Sequence, residues 1–380
     1  MKVLFVIDTL EVGGAEKSIL EMALHFSKTD ISVCHLYKGD QLKSDCEAAG
    51  IKVYSLQLQG QYSFYQAYTK LKQVIEREKP DLVHSALLRS SLVSRVLCHR
   101  LKIPLMGSLV ADSYSSERYR SSNFLRKLKL FFFQVVDRLT VHWCHHFIAI
   151  SQTIALSNAR HLKIKSTDIT VIYRGRQISS YSKIVSSPSN DQPFQFITVG
   201  RLVGSKGHVD LIHSFCEQNI RQRSAKLLIV GKGPEQKKLQ RLITENQLEE
   251  TILLLGERND VPALLSHSNA FLFPSHYEGL GGALIEAMMS GLPVICSDIP
   301  VFREYVNPSE TGLLAPVANP KEWSKLIAWV MDHQTEALAM GQKAQQMASL
   351  RFDIRIITAK YEQLYYTVYE NSATRYQKAI

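Results

Sequence analysis

Short apolar runs rich in Val, Ile, Leu and Phe alternate with amphipathic stretches almost from end to end of the chain. Runs of this kind bounded by turn residues predict buried parallel strands, and the stretches between them predict covering helices. In the first half the expected strands are Val3–Ile7, Ser32–Leu36, Lys52–Leu56, Leu82–Ser85, Leu105–Val110, His146–Ile150 and Ile169–Ile172. In the second half they are Phe194–Val199, Ala225–Val230, Ile252–Leu255, Ala270–Phe273 and Val294–Cys296. Between the halves, Gly175–Pro193 is rich in Ser, Asn and Pro, a composition that packs poorly. The pattern predicts an α/β fold of two doubly wound sheets. Residues 1–175 form an N-terminal domain, 176–193 a linker and 194–352 a second domain, while 353–380 form a C-terminal helix expected to cross back onto the first. Such domains face each other across a cleft, and open α/β sheets bind ligands beyond the carboxyl ends of their strands. Chemistry is therefore sought in the strand-to-helix loops.

Composition narrows the class. With 380 residues, 45% hydrophobic and 21% charged, the chain is neither disordered nor fibrous. No apolar run approaches the ~20 residues of a membrane-spanning helix, and Val3–Ile7 is too short for a secretory signal, so a cytoplasmic location is expected. Six cysteines without a Cys-x-x-Cys spacing read as core thiols of a reducing compartment. The net charge of +10 is asymmetric: residues 1–193 carry 26 Lys and Arg against 16 Asp and Glu, and the remainder 19 against 19.

Three loops hold candidate chemistry. After the first strand, Val12-Gly13-Gly14-Ala15-Glu16 leads into a helix, and adjacent glycines let backbone amides approach an anion there; plain chain reversal is the rival reading. The chain lacks both the dinucleotide Gly-x-Gly-x-x-Gly spacing and a P-loop, which disfavours nicotinamide and ATP chemistry. After Phe194–Val199, Gly200-Arg201-Leu202-Val203-Gly204-Ser205-Lys206-Gly207 sets a guanidinium and an ammonium five residues apart, a pair able to clamp a diphosphate or simply two solvated cations. In Pro274-Ser275-His276-Tyr277-Glu278-Gly279-Leu280-Gly281-Gly282-Ala283-Leu284-Ile285-Glu286, a glycine-rich turn opens a helix between two carboxylates. Glu278 in the loop and Glu286 a turn into the helix can reach different hydroxyls of one elongated ligand whose pyrophosphate lies over the helix start, unless Glu286 only caps or salt-bridges.

With Val230-Gly231-Lys232-Gly233-Pro234, Gly291-Leu292-Pro293-Val294 and Thr311-Gly312-Leu313-Leu314, these motifs make the chain resemble glycosyltransferase family 4 over nearly its whole length. These are retaining, nucleotide-sugar-dependent enzymes of the GT-B fold. The resemblance implies that Arg201 and Lys206 bind the donor diphosphate, Glu286 its ribose and Glu278 its sugar. Gly231, Gly233, Gly279, Leu280, Gly281 and Gly282 would line the donor, Gly13 and Gly14 would touch phosphate, and the base would rest near Gly256, Glu257 and Arg258. Two departures stand out. Family members often carry His where Ala111 follows Ser108-Leu109-Val110, so either Asp112 takes over the polar role on the acceptor side or orientation comes from His84 or the backbone, and no general base is assigned. Tyr173-Arg174-Gly175-Arg176 replaces a Pro-Asn-Gly turn, a change that alters the hinge or adds anion contacts. No Asp-x-Asp spacing offers ligands for a metal-bridged diphosphate, so no metal or other cofactor is expected, and front-face substitution is the implied mechanism.

Within the basic first half, Arg126, Lys127 and Lys129 alternate with Phe124, Leu125, Leu128 and Phe131-Phe132-Phe133. A basic amphipathic segment reads as a peripheral anchor on an anionic membrane; the rival reading makes the phenylalanines core and the cations an ordinary wet face. Nucleic acid is not expected, because no recognised module or condensed basic run occurs. The expected activity is transfer of a sugar, by default from UDP, to a glycan or lipid-linked hydroxyl. The alternative is a catalytically silent nucleotide-sugar-binding protein, which Ala111 makes conceivable.

Overall fold

The computed structural model describes residues 1–11, 13–60, 63–115, 118–119, 123–181 and 193–377. It divides the chain into two units, Met1–Gly175 together with the segment from Ile354, and Arg176–Asp353. Of the expected linker, residues 182–192 lie outside the described residues, as does Val12 of the first glycine motif.

Seven strands build the first unit: β1 (Lys2–Ile7), β2 (Asp30–Tyr37), β3 (Lys52–Leu58), β4 (Leu82–Ala86), β5 (Leu105–Leu109), β6 (His146–Ala149) and β7 (Ile169–Val171). Their order is β3-β2-β1-β4-β5-β6-β7, with every pair parallel. The central strand explains its own sequence. Val3, Phe5 and Ile7 enter one core, Leu4 and Val6 enter another on the opposite face, and so a continuous apolar run replaces the alternation of a half-exposed strand. The covering helices are α1 (Gly14–Ala23), α2 (Lys43–Ala48), α3 (Phe64–Glu78), α4 (Leu88–Leu101), α5 (Phe124–Thr140) and α6 (Gln152–Leu162). In α3, Ala67, Leu71, Val74 and Ile75 recur on one buried stripe. Ser151 caps α6, its hydroxyl accepting from the Ile154 amide at 3.2 Å.

Six strands build the second unit: β8 (Phe194–Val199), β9 (Ala225–Val230), β10 (Ile252–Gly256), β11 (Ala270–Phe273), β12 (Val294–Ser297) and β13 (Leu313–Ala315), ordered β10-β9-β8-β11-β12-β13 and again all parallel. Its helices are α7 (His208–Cys216), α8 (Gln218–Arg221), α9 (Gln236–Glu245), α10 (Val261–Ser266), α11 (Gly282–Met289), α12 (Pro300–Arg303), α13 (Pro320–Asp332) and α14 (Gln334–Phe352). The periodicity did not predict β13, because three residues are too few to carry a period.

The last helix, α15 (Ile354–Gln377), belongs to the first unit although it follows the second in sequence. Ile354, Ile357, Tyr361, Tyr365 and Val368 are buried against the β1 side of the sheet. The Glu362 carboxylate accepts from the amides of Ser27 at 3.0 Å and Lys28 at 2.6 Å. Where the chain passes between units, the Arg176 amide donates to the Phe352 carbonyl at 2.8 Å and Arg176 bridges to Asp353.

Candidate active site

Each sheet reverses its winding direction once, beside β1 in the first unit and beside β8 in the second. At such a switch point two neighbouring loops diverge to opposite faces and leave room for a ligand. In the second unit these are the loops after β8 and β11, the same two that carry Arg201, Lys206, Glu278 and the glycine run.

The two loops are laced together. Gly207 has φ +66° and lies so close to the Pro274 carbonyl that a Cβ would overlap its oxygen. The His276 amide donates to the Ser205 carbonyl at 2.8 Å. Lys206 forms an ion pair with Glu278 Oε1, which also accepts from Ser275 Oγ at 2.9 Å, and the ammonium lies over the Phe273 ring at 5.4 Å. His276 contacts Asp210 at 2.5 Å, a hydrogen bond that raises its pKa above the usual imidazole range. Glu286, in the second turn of α11, pairs with Arg176 rather than with Arg201 or Lys206: Arg176 Nε lies 2.7 Å from Oε1. Arg201 is exposed on the β8 loop.

The remaining donor-side residues divide into close-approach glycines and surface pairs. A Cβ on Gly231 would overlap the Gly200 carbonyl oxygen, and one on Gly233 the Leu202 carbonyl oxygen, so the loops after β8 and β9 stack backbone on backbone. Gly281 holds a left-handed backbone at the start of α11, whereas the Leu280 side chain is core and its carbonyl accepts from the Tyr305 hydroxyl. Gly256 ends β10. Beyond it Glu257 pairs with Lys232, and Arg258 binds Asp260 in two hydrogen bonds of 2.8 and 2.6 Å. Sequence reasoning had left Arg176, Ser275 and Asp210 out of the site. Only Arg176 carried a signal, as part of the departure from Pro-Asn-Gly.

In the first unit the switch point holds acids as well as glycines. Gly13 caps α1, and the Glu16 carboxylate folds back so closely that a Cβ on Gly13 would overlap it. Arg174 Nη1 donates to the Gly14 carbonyl at 2.8 Å. Asp8 accepts from the Ser90 amide at 2.8 Å, and burial raises the pKa of both Asp8 and Glu16.

Two acceptor-side expectations are corrected. His84 is fully buried: Nδ1 meets the Tyr365 hydroxyl at 2.7 Å and Nε2 the Ser108 hydroxyl at 2.8 Å. Burial lowers its pKa to about 3, so it is a neutral core residue and not an acceptor-facing group. Asp112 turns toward α6, accepting from Ser157 Oγ at 2.5 Å and lying 3.8 Å from His161 Nε2, while Ala111 and Ser113 on either side of it line the neighbouring cavity. That cavity, of about 660 Å³, lies in the first unit alone. Arg89, Arg118, Arg126 and Lys129 supply its cations, Leu130 and Phe133 part of its apolar wall, and the buried ion pair of Arg95 with Asp137 another face, braced by the Tyr114 hydroxyl at 3.0 Å from Asp137. Among the described residues its lining holds five cations, Arg95 included, against the two carboxylates of Asp8 and Asp137. On α5 the reading of the phenylalanines as core is overturned for Phe131 and Phe132, which are 58% and 61% exposed beside the exposed Phe124, Leu125 and Leu128.

The family model for glycosyl transferases group 1 matches residues 182–347, and that for Glycosyltransferase Family 4 matches residues 12–179. An uncharacterized glycosyltransferase of Methanocaldococcus jannaschii is 30% identical over 244 residues, spanning 60% of this chain and 58% of that protein. The N,N'-diacetylbacillosaminyl-diphospho-undecaprenol alpha-1,3-N-acetylgalactosaminyltransferase of Campylobacter jejuni is 25% identical over 312 residues, 79% of this chain and 81% of that protein. The crystal structure of Anabaena HepE in complex with UDP superposes with a TM-score of 0.81 at 23% identity, covering 97% of this chain and 100% of that one. The chain thus belongs to glycosyltransferase family 4, and its two parallel-sheet units are the Rossmann-like domains of the GT-B fold.

Proposed function

We propose that the protein is a retaining glycosyltransferase that moves a sugar from a nucleoside-diphosphate sugar, by default a UDP-sugar, to a hydroxyl of a glycan or lipid-linked acceptor without metal. The observation that carries this reading is the meeting of Lys206 with Glu278 at the switch point of the second unit, from loops that β9 and β10 separate in the chain. Arg201 and Lys206 take the diphosphate, whose negative charge grows as it leaves. Glu286 accepts from the ribose hydroxyls and Glu278 from the sugar. In the front-face step the acceptor oxygen bonds to the anomeric carbon on the side from which the diphosphate oxygen departs, and the acceptor's hydroxyl proton passes to that departing oxygen. The net product is the glycoside of unchanged anomeric configuration plus the nucleoside diphosphate. No side chain is then needed as general base, which accords with the engagement of His84 and Asp112 elsewhere. The UDP in the Anabaena HepE structure supports the choice of nucleotide.

A thermal-shift panel of UDP-, GDP- and ADP-sugars, run with and without EDTA, tests this. A donor at about 100 times its Kd stabilises the folded state by ~2.7 kcal/mol. A shift that survives EDTA for one nucleotide series is expected. No shift with any donor ends the proposal, dependence on metal ends its metal-free form, and binding with no turnover on any candidate acceptor favours the silent alternative.

For the acceptor, the cavity of the first unit combines surplus cations with apolar walls, a lining suited to a phosphorylated amphiphile. The Campylobacter relative is named for a diphospho-undecaprenol substrate. No described helix is long and apolar enough to cross a membrane. The exposed apolar and basic residues of α5 instead fit a peripheral position at the inner face of an anionic membrane, with Lys127 on the helix surface beside the cavity-lining Arg126 and Lys129. Co-sedimentation with phosphatidylglycerol vesicles, but not with phosphatidylcholine vesicles, is the expected result. Equal failure with both removes the membrane from the proposal.

A further inference from the structure

The ion pair of Lys206 with Glu278 ties the β8 loop to the β11 loop, yet both groups are also the ones that the donor engages. A ligand that draws the ammonium to its phosphates and the carboxylate to its sugar weakens this tie when the loops most need to stay in place. A second tie uses neither group. His276 stands two residues before Glu278; its Nε2 donates to Asp210 Oδ2 at 2.5 Å, and its amide donates to the Ser205 carbonyl at 2.8 Å. Asp210 lies in the first turn of α7, the helix into which the Lys206 loop leads, and its own amide donates to the Gly207 carbonyl at 2.9 Å. The positive end of the helix favours a carboxylate there, and the Asp210 side chain is only 15% exposed. One residue of the β11 loop therefore grips the chain on both sides of Lys206, at Ser205 before it and at Asp210 after it.

We propose that His276 and Asp210 are positioning residues of the donor site, whose charged hydrogen bond keeps Lys206 and Glu278 in register while a nucleoside-diphosphate sugar engages both. This rests on the donor-site reading above. Protonation sets the strength of the bond. Asp210 raises the His276 pKa, so the charge-assisted form is complete below the ordinary imidazole value and is lost as pH rises through the raised one. A neutral imidazole still donates, but the bond is then about half as strong. Among the described residues, Asp210 is the only charge that acts on this imidazole. Lys206 and Glu278 on the two loops answer each other, and His208 at the start of α7 is kept neutral by burial, its pKa lowered to about 4.

Calorimetric titration of the full chain with UDP from pH 7 to pH 9 tests the pair, since a terminal phosphate already carries its second charge over that interval. Wild-type affinity is expected to fall by roughly three- to tenfold as the imidazolium is lost. Asp210→Asn removes the charge that holds the proton, and His276→Gln leaves a donor with no proton to lose. Both variants are expected to bind UDP roughly three- to tenfold more weakly than wild type at pH 7 and to show no further fall up to pH 9. Wild-type affinity that stays level across the interval overturns the proposal, as does a fall that persists in His276→Gln. Variants that melt lower yet keep the wild-type affinity and pH profile make the pair a purely structural contact, which overturns it equally. Wild-type protein that binds none of UDP, GDP and ADP instead removes the donor-site reading itself, and this inference falls with it.

Discussion

Replacing Lys206 with alanine is expected to lower kcat/KM for sugar transfer by about 10²–10⁴-fold, with a smaller change in donor affinity. The ammonium is placed by two elements at once, the β8 loop that carries it and the β11 loop that supplies Glu278, Ser275 and the Phe273 ring. It is 17% exposed and so acts in a partly dried site, where a fixed charge is worth more than in water. Its benefit grows as charge moves onto the departing phosphate, and the loss should therefore appear in kcat more than in KM. The ground state loses something as well, because Glu278 keeps only the Ser275 hydroxyl among the partners described for it. Arg201→Ala is expected to act in the same direction. Steady-state kinetics on a donor that shifts the melting temperature checks both, and near-normal turnover by the two variants rules out electrostatic leaving-group stabilisation by this loop.

Gly231→Ala is expected to destabilise the second unit by about 3 kcal/mol or more. Two costs coincide at this position. The backbone φ of +138° lies where only glycine is comfortable, and a Cβ would overlap the Gly200 carbonyl oxygen. Neither the new methyl nor that oxygen has a rotamer to relieve the clash, so the loops after β8 and β9 must separate. Because the β8 loop also carries Arg201 and Lys206, donor binding should fall together with stability. A loss of this size lowers the melting temperature of a unit of about 180 residues by roughly 6–12 °C. A variant melting within about 1 °C of wild type would mean that the two loops do not stack as described.

The strands were legible because a parallel strand buried on both faces must be a short continuous apolar run, as Val3–Ile7 and Ala270–Phe273 are. The loop motifs were legible for a related reason: glycine spacing and helix starts are constraints within ten residues of chain. The place of α15 is not written in its local sequence, since an amphipathic tail can cover any open apolar face; in the structure Tyr361 and Tyr365 are buried in the first unit's core.

His84 shows where local reading stops. A histidine in the strand leading into a switch-point loop looks available for chemistry. Its ring is instead covered by Tyr365, 281 residues later in the chain, and a buried neutral imidazole with both nitrogens bonded has no proton role to offer. The pairing of Lys206 with Glu278, 72 residues apart, and of Arg176 with Glu286, 110 residues apart, is equally invisible along the chain. The first pairing depends on β11 lying beside β8, and the second on the chain entering the second unit alongside Phe352. Element type, loop chemistry and family follow from interactions a few residues long, which the order of amino acids states directly. Which charges share a partly dried space follows from strand order and long-range burial, and these come into being only when the sheets assemble.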